Sequence, residues 1–178
     1  MRNKAINTLK YTGIVTLSQY IGTKKVNIAQ RHNTGGSSLF EFFADCLIGD
    51  FTMAKATMPT KIMLVKRTES KSGSGNTDFT YEDVSGFIYL LTKPEKVYNS
   101  SGSAVRYSFV IPKDMLESIN NFEGLGLGLY TDGAVKSEPE NFAAFCELNL
   151  TRSSIISASL VVDWELIISN NASNDANQ

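Results

Sequence analysis

Two stretches of this chain place apolar residues at every second position. Val105, Tyr107, Phe109 and Ile111 alternate with Ala104, Arg106, Ser108 and Val110, and Ile156, Ala158, Leu160, Val162, Trp164, Leu166 and Ile168 repeat the pattern later. A period of two belongs to a strand with one face in a core and the other in water, so the fold must be built on sheets. Runs of the same kind at 10–19 and 24–31, joined by Tyr20-Ile21-Gly22-Thr23, predict an opening β-hairpin. Further strands fit 61–67, 79–92, 122–130 and 142–151, so the count reaches about eight, separated by turn-rich segments. The expected architecture is mainly β: an antiparallel β-sandwich or jelly-roll-like fold.

One amphipathic helix interrupts the strands. Leu39, Phe42, Phe43, Cys46 and Leu47 fall at i, i+3, i+4, i+7 and i+8, on a single helix face. Ser38 and Glu41 have capping-box spacing at its start, and Gly49 suits the left-handed C′ position at its end. A second, shorter helix is expected after Pro112, over 113–117. With no internal repeat or linker, 1–169 reads as one β-sandwich domain and 170–178 as a polar tail without strand pattern. Segments 70–76 and 99–103 read as solvated loops suited to contacts.

Composition narrows the functional classes. Apolar residues make up 42% of the 178 residues and charged ones 20%, the balance of a chain that buries a core without metal or disulfide. Seventeen Lys+Arg against 18 Asp+Glu leave a net charge of −1, which argues against a broad basic face for nucleic acid. No apolar run approaches the roughly 18 residues of a membrane helix, and none forms a signal-peptide core, so synthesis and retention in a cytoplasm are expected. Cys46 and Cys146, both inside apolar runs, are then expected to be buried free thiols rather than a disulfide.

The candidate sites are few. His32 is the only histidine; a His-assisted nucleophile would need a partner from elsewhere in the fold, whereas a turn histidine needs nothing further. Asn33-Thr34-Gly35-Gly36-Ser37-Ser38 could cradle an anion at a helix start, but it lacks a P-loop lysine, and Glu41 would repel the anion. Lys24-Lys25, and Lys66-Arg67 with Lys71, read as basic groups that guard sheet edges. The carboxylates Glu82, Asp83, Glu138 and Glu140 have no second cluster with which to form a metal or acid–base site. The expectation is therefore no enzyme, no catalytic residue, no metal and no cofactor.

Gly124, Gly126 and Gly128 leave one face of a strand bare while Leu125, Leu127 and Leu129 line the other. A bare strand face invites close approach, either by a bulky aromatic of the same chain or by another subunit. Gly124, Gly126 and Gly128, with Tyr130 and Lys71, are accordingly the interface candidates.

The opening third resembles small structural proteins of tailed bacteriophages, in particular virion proteins of crAss-like phages. The residues concerned are Leu9-Lys10-Tyr11-Thr12-Gly13-Ile14-Val15-Thr16-Leu17-Ser18, His32-Asn33-Thr34-Gly35-Gly36, the helix Leu39 to Gly49-Asp50, and Pro59-Thr60-Lys61-Ile62-Met63-Leu64. The resemblance implies a β-sandwich virion subunit, on the capsid surface, in a head fibre, or in collar and tail rings. It also implies partners: its own copies as a dimer or trimer, and other virion proteins, with neither membrane nor specific nucleic acid bound. A carbohydrate- or receptor-binding sandwich is the alternative, with Tyr81, Tyr98, Tyr107 and Tyr130 as candidate contact aromatics.

Overall fold

The alternating segments form the strands of a sandwich in a computed structural model that describes residues 7–35, 37–71, 77–91, 94–99, 102–131, 142–151 and 158–172. In chain order the elements are β1 (Asn7–Ile21), β2 (Lys24–His32), β3 (Thr34–Gly35), α1 (Ser37–Ile48), α2 (Phe51–Thr57), β4 (Pro59–Lys71) and β5 (Thr77–Leu90). There follow β6 (Glu95–Asn99), β7 (Gly102–Ile111), α3 (Lys113–Ser118), β8 (Leu125–Thr131), β9 (Ala144–Glu147) and β10 (Leu160–Ala172). They make two five-stranded sheets, ordered β2-β1-β10-β7-β6 and β3-β9-β8-β4-β5. Every strand pair is antiparallel.

The main core lies between the sheets. Val15 and Leu17 of β1, Leu160, Val162 and Trp164 of β10, and Phe109 and Ile111 of β7 face Ile62 and Leu64 of β4 and Leu125, Leu127 and Leu129 of β8. The alternate residues of the first sheet form its polar outer face. There Arg106 donates from Nε and Nη2 to Glu165 Oε1 at 2.8 and 2.6 Å, and Asp163 accepts from Lys25 Nζ at 2.6 Å and Ser108 Oγ at 2.7 Å. Partial burial works against the Asp163 carboxylate, but the hydrogen bonds and the Lys25 and Arg106 charges more than offset it. Its carboxyl therefore sits below the usual range.

The open edges are β2, β6, β3 and β5, and the run of β2 is interrupted where its register against β1 shifts between Leu17 and Ser18. β3 has 2 residues and β6 has 5, and β5 carries an irregularity between its pairings with Met63 and Val65, where Gly86 has φ 66°. Three points depart from the sequence reading. β10 continues through Asn170 and Asn171 to Ala172, paired with β1 down to Asn7, because ladder hydrogen bonds override the weak strand preference of those polar residues. Residues 173–178 lie outside the described part of the chain. Cys46 is exposed, and only Cys146 is the buried thiol expected. β3, β6 and α2 were not foreseen.

Burial pushes the Cys146 thiol up to about 12 and the Tyr11 hydroxyl up to about 12, each helped or opposed by smaller neighbouring effects. Both groups hold their protons more tightly folded than unfolded, so they stabilise fully below their ordinary values and lose that contribution as the pH rises toward 12. The thermal midpoint should stay level to about pH 8.5 and then fall, with Cys146→Ala delaying the onset by about one unit. A midpoint independent of pH up to 11 would contradict this.

Candidate functional site

Among the described residues no three His, Cys, Asp or Glu side chains gather closely enough to hold a metal ion. His32 is exposed at the end of β2, across the ladder from Ile14. Its neighbour Asn33 is a structural strap. The Asn33 backbone N–H donates to the Gly13 carbonyl at 3.1 Å and its Nδ2 donates to Tyr11 Oη at 2.6 Å. The side chain fills the space a Cβ at Gly13 would need, with Nδ2 only 2.6 Å from that position. Asn33 thus joins β2 to β3, and Gly36 of the glycine-bearing segment lies outside the described residues.

A polar depression of about 310 Å³ is lined by Lys66, Arg67, Thr68, Glu69, Glu123, Gly124 and Glu147. Its central cation is already engaged: Arg67 pairs with Glu147 and lies over the rings of Phe79 and Phe145, 4.9 and 5.7 Å from their centroids. Lys66 and Arg67 stand there against Glu69, Glu123 and Glu147, a net charge of 2 − 3 = −1.

The glycine strand serves the same chain. A Cβ at Gly126 would stand 2.8 Å from the Cys146 carbonyl oxygen and closer still to the Phe145 ring, and one at Gly128 would stand 2.6 Å from Tyr130 Oη. Phe145 and Tyr130, with Met63 and Val65, form a second apolar cluster on this face, flanked by Tyr81 and Phe142. Gly124 sits at φ 69° and approaches the Arg67 backbone, donating no side chain and accepting the Arg67 N–H at 2.8 Å. Tyr130 is fully buried, and Lys71 is exposed at the end of β4, beside residues outside the described part. Of the four candidate contact tyrosines, Tyr130 is buried and Tyr81 flanks the same apolar cluster, Tyr107 is half-buried against the main core, and only Tyr98 is well exposed, near Lys96.

An exposed apolar feature lies at the turn between α1 and α2. Leu39 is buried in the core, and Phe42 and Phe43 pack against it, Phe43 lying 6.0 Å from Tyr11 between centroids. The first two turns of α1 therefore anchor the helix. Its last residues expose large apolar side chains: Leu47 is 77% exposed, Ile48 76%, and Phe51 at the start of α2 74%. The turn itself is well made. Gly49 takes φ 79°, its N–H donates to Cys46 at 3.3 Å and that of Asp50 to Asp45 at 3.0 Å, the pattern of a Schellman motif. Asp50 then caps α2, Oδ1 accepting from the Met53 N–H at 3.1 Å, and Ala54 is buried. Sequence reading placed Leu47 and Cys46 on the core-facing stripe and missed α2, although Asp50 before Phe51-Thr52-Met53-Ala54 was a legible start signal.

A second exposed tip lies at the β1–β2 turn, where Tyr20 is 55% and Ile21 61% exposed next to Lys24 and Lys25. No protein-family model, curated protein or solved structure matches the chain.

Exposure of Cys46 near the helical tip gives a direct check. Native protein should react with a thiol reagent at Cys46 only, and Cys146 should become reactive on unfolding, because thiolate formation there is suppressed by burial. Two fast thiols in the native protein would contradict the core.

Proposed function

We propose that the chain is a non-enzymatic structural subunit of a tailed-bacteriophage virion, on the capsid surface or in a head fibre, working by contact with other protein surfaces. The observation that carries the assembly role is the apolar α1–α2 tip, where Leu47, Ile48 and Phe51 stand exposed on a rigid, doubly capped turn. Scattered exposed apolar residues are ordinary, but three large ones within five residues at one capped turn favour a contact surface. The virion setting rests on the resemblance of the opening third. Contacts are carried by the tips more than by the sheet edges, which are short or irregular.

The test is immunodetection of the protein in purified phage particles, with a variant carrying Leu47→Gln, Ile48→Gln and Phe51→Gln alongside. Stoichiometric presence of the native chain, and loss of the variant from particles despite an unchanged thermal midpoint, are expected. Absence of the native chain from particles would overturn the virion reading, and full incorporation of the variant would overturn the role of the tip.

A further inference from the structure

We infer that the α1–α2 tip of one copy docks on the β1–β2 tip of a second copy, head to tail; this rests on the assembly reading above. Each tip joins exposed apolar side chains to a net charge, and the charges are opposite. The helical tip, 45–51, carries Asp45 and Asp50 and no base, a charge of −2. The hairpin segment 18–27 carries Lys24 and Lys25 and no acid, a charge of +2. Lys25 is partly committed to Asp163 at 2.6 Å, which leaves Lys24 as the principal cation, exposed beside Tyr20 and Ile21.

Two helical tips brought together would oppose acid to acid, and two hairpin tips lysine to lysine. The helical tip against the hairpin tip satisfies both the apolar and the ionic requirement. Because the two patches differ, the contact is heterologous, and it propagates into a ring where the rotation closes and into a linear string where it does not. A second copy is thus the occupant that the charge pattern selects.

Light scattering over a concentration series tests this with native protein, the helical-tip variant above, and a hairpin variant carrying Tyr20→Thr, Ile21→Thr and Lys24→Glu. Each variant alone should be monomeric, and an equimolar mixture should form a 1:1 pair and stop there, since each partner retains one live tip. Cys46 of the hairpin variant should label at least about tenfold more slowly in the mixture than alone, because the contact buries its neighbourhood, while Cys46 of the helical-tip variant should keep its rate. Matching circular dichroism and thermal midpoints establish that the variants are folded; should the triple hairpin variant fail to fold, Lys24→Glu alone replaces it, with at least about a tenfold loss of self-affinity expected.

Undiminished association of the hairpin variant would overturn the inference in favour of tip-to-tip pairing, as would a mixture that stays monomeric or native protein that stays monomeric throughout. In the last case the assembly reading stands if the helical-tip variant is still lost from particles, and falls if it is incorporated normally.

Discussion

Gly126→Val is expected to destabilise the native fold heavily rather than adjust a surface. The first carbon of the new side chain would stand 2.8 Å from the Cys146 carbonyl oxygen and nearer still to the Phe145 ring. Neither can move freely. The carbonyl belongs to β9, paired with β8 through Gly126↔Glu147 and Leu127↔Cys146, and Phe145 is held at 5.3 Å from Tyr81 and 5.5 Å from Phe142 between centroids. Overpacking of this kind costs at least about 3 kcal/mol, a large share of a typical stability of roughly 5–15 kcal/mol. Chemical denaturation should show loss of the cooperative transition or a midpoint lowered by that amount, and a shift below about 1 kcal/mol would contradict the packing. The same reasoning makes this variant unsuitable for mapping an interface, since any loss of assembly would follow from unfolding.

Trp164→Ala should be comparably damaging for the opposite reason. Trp164 is fully buried at the middle of β10, the central strand of its sheet, and its removal would leave a cavity facing Leu and Ile side chains of the other sheet. A loss of about 3–5 kcal/mol is expected. Its indole Nε1 is buried without a hydrogen-bond partner among the described residues, so Trp164→Phe removes an unsatisfied donor along with volume. Phe should therefore recover more than half of the loss seen with Ala. Equal losses for the two variants would show that the indole N–H is satisfied after all.

The eight strands expected from alternation and apolar runs all lie within the sandwich, because alternation reports which residues share a face and little else is needed to place a strand. β6 escaped notice since Glu95-Lys96-Val97-Tyr98-Asn99 is an exposed edge whose strand geometry comes from its ladder to β7, a property of the partner. The bare face of the glycine strand was legible, but its occupant was not. Phe145 lies over Gly126 through the β8–β9 register, which joins residues about 20 apart. For α1, spacing identified the stripe from Leu39 to Leu47, but how far the sandwich extends beneath it is a matter of tertiary placement. The result is that the final turn of that stripe, read as core, became the candidate contact surface.

The position of β10 bears on when the protein can be made whole. It lies between β1 and β7, so until it emerges from the ribosome the first sheet exists only as two separate hairpins, β1–β2 and β6–β7. The second sheet has all its strands by Glu147, and its inner leucines must wait for a lid. The β1–β10 ladder runs out to Asn7↔Ala172, residues far apart in sequence, and such closure is slow. A chain in this state exposes apolar surface and open strand edges, so the stage before β10 joins the sheet favours chaperone capture, and closure by β10 removes those edges.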